Sequence, residues 1–312
     1  NHIARAVGED PLAFKRRHLL RRNDHTVTGG VLRDPVKLDE MIDRAATMSG
    51  YFRRYDRYSN RSRADGARLG AEQTQLGEEH RAAARMEPHL SRGIGVSIFS
   101  HGCGFTGSGE QEVIKAKARL RRFGDGTVEI GVANVEMGQG ASTTLRKVVA
   151  HTLDIALEKV TYHQPDTAEV PDSGPTVASR TAMIVGGILH RAALKLKQLP
   201  LPRPAEPPQE VTEHYSQPDY IHWDQDTFHG DAYPAFSWGV NVVEVEVDHV
   251  TFEVRPLHIW GVYDVGEPLD RSIVVGQMHG GIVQALGWAT SEKLEVRDGR
   301  FRQPNLTDYV VP

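Results

Sequence analysis

The chain has 312 residues, 39% of them hydrophobic and 25% charged, enough apolar material to bury one large or two moderate cores and to rule against disorder as the default state. A formal net charge of −4 and a pI near 6.4 leave no footprint for nucleic acid or an anionic membrane. Cys103 is the single cysteine, so no intrachain disulfide, cysteine-ligated metal or iron–sulfur centre can be assembled from this chain alone. No apolar run approaches the roughly 20 residues that span a bilayer and no secretory pattern is seen, so the expected location is the cytoplasm. Asn1 falls inside a helical pattern without an initiator Met, which reads as a fragment.

Residues 1–24 read as the tail of one helix and a second restarted by Glu9-Asp10-Pro11-Leu12, with Phe14, His18 and Leu19 on one face. After the Thr28-Gly29-Gly30 loop, Asp34 as N-cap and Pro35 at the first helical position predict a third helix, with Leu38, Met41, Ile42 and Ala45 on one side. Residues 51–63 interleave five arginines with four aromatic residues. Such a segment can stack on nucleic-acid bases, but the preferred reading is an amphipathic surface segment whose arginines pair with carboxylates. The polar stretch 64–87 is predicted as a flexible connection. From Arg92 the composition turns to β, followed by the loop Gly102-Cys103-Gly104-Phe105-Thr106-Gly107. A phenylalanine among glycines either folds back on the core or offers a platform to a ring-shaped substrate. Residues 115–121 alternate as a strand, and Phe123-Gly124-Asp125-Gly126-Thr127 is a hairpin turn into another over 127–132.

The stretch Val135-Glu136-Met137-Gly138-Gln139-Gly140 joins that strand to a helix on which Leu145, Val148, Val149 and Leu153 recur at helical spacing. A turn almost without side chains at a helix start presents free N–H groups that favour an anion, and Gln139 adds an amide that donates and accepts. Glu136 reads as structural. Asp172-Ser173-Gly174-Pro175-Thr176-Val177-Ala178-Ser179-Arg180-Thr181 precedes a helix predicted over 183–196, and Gly276-Gln277-Met278-His279-Gly280-Gly281 is predicted to open a third. Three polar helix starts point to one large, many-armed polar ligand. Residues 199–208 hold five prolines and read as a surface linker. Trp223, Asp224, Phe228, Tyr233, Phe236 and Trp238 form an aromatic region that needs tertiary contacts. Residues 240–247, with Glu244 and Glu246, alternate as an antiparallel strand with 252–260 as its neighbour. Ile282, Val283 and Leu286 are expected to face a core, and Asp298-Gly299 turns a last hairpin. His101, His151 and His279 lack the spacing of metal ligands; Asp264 is read as orienting the turn after it. The expected architecture is α+β, with helices packed on mixed and antiparallel sheets in two subdomains. Residues 1–90 would be a helical connecting segment, 91–204 and 205–312 the two subdomains, and the ligand would lie in the cleft between them.

With these motifs in this order, and with Asp231-Ala232-Tyr233-Pro234-Ala235 and Gly8-Glu9-Asp10-Pro11-Leu12, the chain resembles the molybdopterin-binding subunit of the xanthine dehydrogenase and aldehyde oxidase family. The resemblance runs nearly end to end and covers the later part of that family's molybdenum region. It implies molybdenum held through the pterin, with no protein ligand, and hydroxylation of a carbon next to nitrogen, or of an aldehyde, with oxygen from water. Electrons would pass to iron–sulfur clusters and FAD on partner chains or segments. Gly138, Gln139 and Gly140 would lie against the pterin and the oxo face of the metal; Thr176, Val177, Ala178, Ser179 and Thr181 would hold the pterin and its phosphate; Gln277 would touch it from the other side. Residues 91–204 and 205–312 would be the first and second molybdopterin-binding subdomains, the second incomplete at its C-terminus.

Phe105 and Thr106 stand where xanthine-oxidising members carry a Phe-Thr pair, which favours a purine or related flat N-heterocycle over an aliphatic aldehyde. The family's arginine-glycine loop and catalytic glutamate match no position here, so partner segments are expected to complete the domain. Glu267 imitates the glutamate's motif but stands where the family has a loop that is not catalytic. The alternatives are an aldehyde-oxidising relative and a non-catalytic chain that binds the pterin for storage or assembly. A nucleotide-binding glycine loop is disfavoured, because the third glycine and the Lys-Ser/Thr are missing.

Overall fold

The computed structural model describes residues 1–68 and 89–312. The stretch expected as a flexible connection continues the preceding helix over 64–68, and from residue 69 it lies outside the described residues. In chain order the elements are α1 (His2–Ala6), α2 (Pro11–Arg17), α3 (Leu38–Ser49), α4 (Tyr51–Arg68), β1 (Leu90–Gly102), β2 (Lys117–Arg122), β3 (Val128–Gly131) and α5 (Ala141–Leu153). There follow β4 (Val160–Tyr162), α6 (Gly186–Lys197), β5 (Gln209–His214), β6 (Trp223–Asp224), β7 (His229–Gly230), β8 (Phe236–Asp248), β9 (Val254–Asp264), α7 (Arg271–Thr290), β10 (Val296–Arg297) and β11 (Arg300–Phe301). The fold is α+β. Two compact units interleave along the chain: residues 1–19, 36–100 and 238–264 form the first, and 20–35, 101–237 and 265–312 the second.

In the first unit a sheet in the order β1-β8-β9 accompanies α1 to α4. The Asp10 carboxylate accepts from the Leu12 and Ala13 N–H groups at 3.0 and 2.8 Å, and Pro11 occupies the first position of α2, so the helix starts where two orphan donors find an acceptor. Leu38, Met41, Ile42 and Ala45 of α3 are buried, as their spacing predicts. The helix itself begins at Leu38 rather than Pro35, behind Lys37 without a side-chain cap. Burial of the apolar face, rather than the Asp34-Pro35 signal, sets that boundary.

The arginine-rich segment is the helix α4, and it carries an arginine to a carboxylate. Glu244 on β8 is 1% exposed and accepts from Arg54 and Tyr58 of α4 and from His258 Nδ1 on β9 at 3.1 Å, while the Arg54 guanidinium lies 5.1 Å over the Trp260 ring. Burial alone would raise the Glu244 carboxyl, but the hydrogen bonds from Tyr58 and Arg54 outweigh it and hold it below the ordinary 4.5. A carboxyl held low in the fold stabilises above its unfolded value and loses that contribution as pH falls. Between pH 7 and about pH 4, urea denaturation is therefore expected to show a smaller loss of stability in Glu244→Gln than in the wild type. Equal losses would mean that the carboxylate does not hold α4 to the sheet.

The second unit is built on a mixed four-stranded sheet in the order β4-β3-β2-β5, in which β3 and β4 are parallel and the other pairs antiparallel. Ala118, Leu120, Val128 and Ile130 point from β2 and β3 into a core completed by Leu145 and Val149 of α5 and Ile188, Leu189, Ala192 and Leu196 of α6. Each large side chain so buried contributes about 1.5–3 kcal/mol, and the period-2 strands and period-3.6 helices make it legible in the sequence. Residues 199–208 lie within this unit, where Arg122 donates to the Leu199 and Pro200 carbonyls at 2.7 and 3.0 Å.

Two helix starts differ from expectation. The backbone makes a π-type turn over Thr181–Val185 before α6 begins at Gly186. α7 begins at Arg271, with the Asp270 carboxylate accepting from the Ile273 N–H at 3.1 Å, so Gly276 to Gly281 lie inside the helix instead of opening it. Ile282, Val283 and Leu286 do not line a core: Val283 is 47% exposed, and among the described residues Gly287 alone is buried on this helix. A helix apolar on every side has no periodicity from which an inward face can be read.

Candidate functional site

Where β3 ends, the chain runs through residues 132–140 to the start of α5, and the glycine turn is fixed from inside by a carboxylate. Glu136 accepts from the Gly138 and Gly140 N–H groups at 2.8 and 2.9 Å through Oε1, and from the Ser142 N–H at 2.8 Å through Oε2. The expectation of free N–H groups awaiting an anion is thereby corrected: three of these donors are already taken, and the helix start is neutralised by the chain's own charge. Burial on its own would raise the Glu136 carboxyl, but the Ser142, Gly140 and Gly138 N–H groups outweigh it and keep it below 4.5, so it stays ionised near neutral pH. The Gln139 carboxamide is also spent within the turn, accepting from Met137 N–H at 2.6 Å and donating to the Val135 carbonyl at 2.9 Å.

What the turn leaves open is backbone. Gly138 has φ 99° and nothing within 4 Å of the place where a Cβ would stand, so a ligand can approach its main chain. Gly140, φ 84°, is glycine for a different reason: a Cβ there would come within 3.0 Å of Ile273 on α7. The same helix turns Gln277 toward the loop, its Nε2 donating to the Gln139 carbonyl at 2.9 Å.

The hydroxyl-rich segment 173–181 joins the glycine turn through Asn134, which is fully buried. Asn134 Nδ2 donates to Thr181 Oγ1 at 3.1 Å and lies 3.5 Å from Thr176 Oγ1, while the Val135 N–H donates to Thr176 Oγ1 at 3.0 Å. Asn134 Oδ1 is buried without a partner among the described residues. Ser173 accepts from the Ala133 N–H at 3.0 Å and donates to the Lys117 carbonyl at 2.7 Å, which pins the segment to the sheet. Ala178 and Ser179 both adopt the left-handed conformation, φ 53° and 51°. Two consecutive non-glycine residues there cost on the order of 1–2 kcal/mol each and persist only where their surroundings fix them, which is characteristic of ligand-clamping loops.

One of those fixing contacts leads to the third part of the site. The Ala178 carbonyl accepts from the Gly104 N–H at 2.9 Å, and next to it Arg180, fully buried, makes a two-pronged ion pair with Glu110, Nε to Oε1 and Nη2 to Oε2 both at 2.8 Å. Arg180 Nη1 also donates to the Ser173 and Pro175 carbonyls at 2.7 and 3.1 Å, and Glu110 Oε1 accepts from the Phe105 N–H at 3.3 Å. Burial of the charges is compensated by this saturation of donors and acceptors. Phe105 is half-buried and Thr106 exposed at the tip of the loop.

The sequence-named residues Gly138, Gln139 and Gly140, the segment Thr176 to Thr181, Gln277, and Phe105 with Thr106 are therefore connected through hydrogen bonds within one unit. Glu267 lies apart from this network, exposed in the segment between β9 and α7. Sequence reasoning missed Asn134, Glu110 and Arg180 as organisers; Arg180 sits inside the motif that was singled out, but nothing in one sequence pairs it with a carboxylate 70 positions away. Among the described residues no group of three or more His, Cys, Asp or Glu is placed to hold a metal ion, and no helix is long and apolar enough to cross a membrane.

A family model described as a molybdopterin cofactor-binding domain matches residues 70–206 and 201–312. The xanthine dehydrogenase molybdenum-binding subunit of Escherichia coli O157:H7 is 28% identical over 270 residues, an alignment covering 75% of this chain and 35% of that protein. The nicotine 6-hydroxylase large subunit of Paenarthrobacter nicotinovorans is 24% identical over 349 residues, covering 99% of this chain and 40% of the relative. Among solved structures, the aldehyde oxidoreductase from Desulfovibrio gigas superposes with a TM-score of 0.77 at 23% identity, covering 100% of this chain and 32% of its own. Quinoline 2-oxidoreductase from Pseudomonas putida 86 gives a TM-score of 0.72 at 21% identity, over 99% and 41%. These two show a common fold, and the chain spans between 32% and 41% of the lengths of these four proteins. With residues 70–312 matched by the family model and the same architecture in those structures, the chain belongs to the molybdopterin cofactor-binding domain family, related to the xanthine dehydrogenases and aldehyde oxidases.

Proposed function

We propose that this chain is part of a molybdenum hydroxylase that binds molybdopterin and oxidises a purine or related N-heterocycle. The observation that carries the reading is the direct hydrogen-bonded linkage of the glycine turn, the hydroxyl segment and Gln277 in a single unit. The residues fit a pterin: the Thr176, Ser179 and Thr181 hydroxyls and the Gln277 amide are uncharged donors and acceptors, and Gly138 leaves room for a flat group against its backbone. Because Glu136 keeps a negative charge under the glycine turn, the phosphate arm belongs with the 176–181 segment instead. When bound, the cofactor supplies the oxygen-transfer and two-electron chemistry, with electrons passing to iron–sulfur and FAD groups on partner chains or segments. The chain's own residues hold and orient: Gln277 braces the glycine turn, the 176–181 hydroxyls and Val177-Ala178 backbone clamp the pterin, and Phe105 with Thr106 forms a wall against which a flat heterocycle lies. The chain spans 32% to 41% of the lengths of these relatives, and segments beyond it complete the pocket.

Gln277 is exposed, so its replacement tests the clamp without opening a core. Gln277→Ala is expected to retain several-fold less pterin through gel filtration than the wild type, read from the fluorescence of the oxidised pterin, since one hydrogen bond contributes about 1 kcal/mol. Unchanged retention, with wild-type melting behaviour in both proteins, would remove Gln277 from the binding set.

A further inference from the structure

The aromatic residues after the proline-rich segment are not taken up by the cofactor reading, and two of them lie against the Phe105-Thr106 loop. Residues 232–235 run alongside that loop: the Cys103 N–H donates to the Ala235 carbonyl at 3.0 Å and the Gly107 N–H to the Ala232 carbonyl at 2.7 Å. Gly102 is glycine because a Cβ would overlap the Tyr233 ring, and a Cβ on Gly107 would overlap Trp223. Phe236 meets Tyr233 edge-on with ring centroids 5.7 Å apart. At the tip the Tyr233 and Thr106 hydroxyls lie 2.9 Å apart, so one donates to the other. The Asp231 carboxylate, two residues before Tyr233, is anchored by Arg33 Nη1 at 2.6 Å and by the Val31 N–H at 3.1 Å, which fixes the segment that carries Tyr233.

We propose that Tyr233 is a specificity-determining positioning residue that acts through Thr106; the proposal rests on the reading of Phe105-Thr106 as the substrate wall. A phenol is a stronger donor than an aliphatic alcohol, so Tyr233 O–H donates and Thr106 accepts. That leaves the Thr106 proton free to donate at the loop tip, beside the half-buried Phe105 ring. A flat heterocycle offering a ring nitrogen or carbonyl at its edge is matched; one offering only an N–H meets its match less well. Without the phenol, the Thr106 hydroxyl rotates freely and the preference weakens.

The test is equilibrium binding by calorimetry to the protein as purified with its partners, using hypoxanthine, which has acceptors on its edge, and indole, a bicycle of similar size with an N–H and no acceptor. The wild type is expected to prefer hypoxanthine, Tyr233→Phe to lose about fivefold of that preference, and Thr106→Val to lose at least as much. The double variant is expected to match Thr106→Val alone, because the phenol acts only through the hydroxyl. A purely structural role for Tyr233 would weaken both ligands equally and add to the Thr106 effect, and that result overturns the proposal. If neither probe binds the wild type, the reading of the substrate wall fails and the proposal with it; if Thr106→Val removes the preference while Tyr233→Phe keeps it, the proposal alone fails. Thermal melting of each variant identifies any loss of fold, and Tyr233→Trp, which keeps a large ring with a donor of altered position, provides a second variant expected to shift the preference should the phenylalanine protein not fold.

Discussion

Replacing Arg180 with methionine is expected to destabilise the protein by about 3–5 kcal/mol, the loss incurred when a buried ion pair is broken and one charge is left without its partner. Arg180 is fully buried and Glu110 is 2% exposed, so water cannot restore what the substitution removes. The damage reaches both walls of the candidate site. The guanidinium holds the Ser173 and Pro175 carbonyls, and the Glu110 carboxylate holds the Phe105 N–H, so the hydroxyl segment and the Phe105-Thr106 loop loosen together. Glu110→Leu combined with Arg180→Met is expected to recover part of the loss, because no charge is then stranded, but not all of it, since those carbonyls and the Phe105 N–H remain without their partners. Urea denaturation at pH 7 measures all three proteins. A single variant within about 1 kcal/mol of the wild type would mean that the pair is hydrated rather than buried.

The second large effect is expected at Glu136. Glu136→Ala strips the acceptor from three N–H groups at once, and a loss of about 2–3 kcal/mol is expected, less than three charged hydrogen bonds in isolation because the turn is partly open to water. The sign with pH follows from the carboxyl being held low in the fold: its contribution is present at neutral pH and is lost as pH falls below about 4.5. Wild type and variant are thus expected to converge in stability in acid and to differ most near neutrality. A second readout lies in Tyr162, whose hydroxyl is pushed up to about 12 by burial first and by the Glu136 charge second. Glu136→Gln is expected to lower the tyrosine titration seen by ultraviolet absorbance; no change would place the charge elsewhere.

Much of this was legible from residue patterns. Alternation over β2 and β3 and helical spacing in α5 identified the sheet and the helix that flank the glycine turn, because both bury one face. The family-carrying motifs are local, which is why they can be read from the chain without its fold. The glycine turn's internal cap is harder to see: Glu136 reads as structural and the N–H groups it occupies as free, since a sequence does not say whether a side chain folds back on its own turn. The start of α7 was misplaced because Gly276, Gly280 and Gly281 look like a loop, while the signal that decides, Asp270 as an N-cap, is a single residue. Asn134, the Glu110–Arg180 pair and the Tyr233–Thr106 contact join segments 42 to 127 positions apart through folding, as the 70-residue separation of the ion pair and the 127-residue separation of the hydroxyls illustrate. No periodicity reports contacts of that range.

Binding of molybdopterin at this surface is the expectation on which the rest depends. Its most direct test is molybdenum and pterin analysis of the chain purified from its source with whatever accompanies it, set against the intact mass of each component. Molybdenum and pterin are expected in near-equal amounts to this chain, together with partners that carry iron and flavin. A chain purified intact with its partners yet free of both molybdenum and pterin would contradict it.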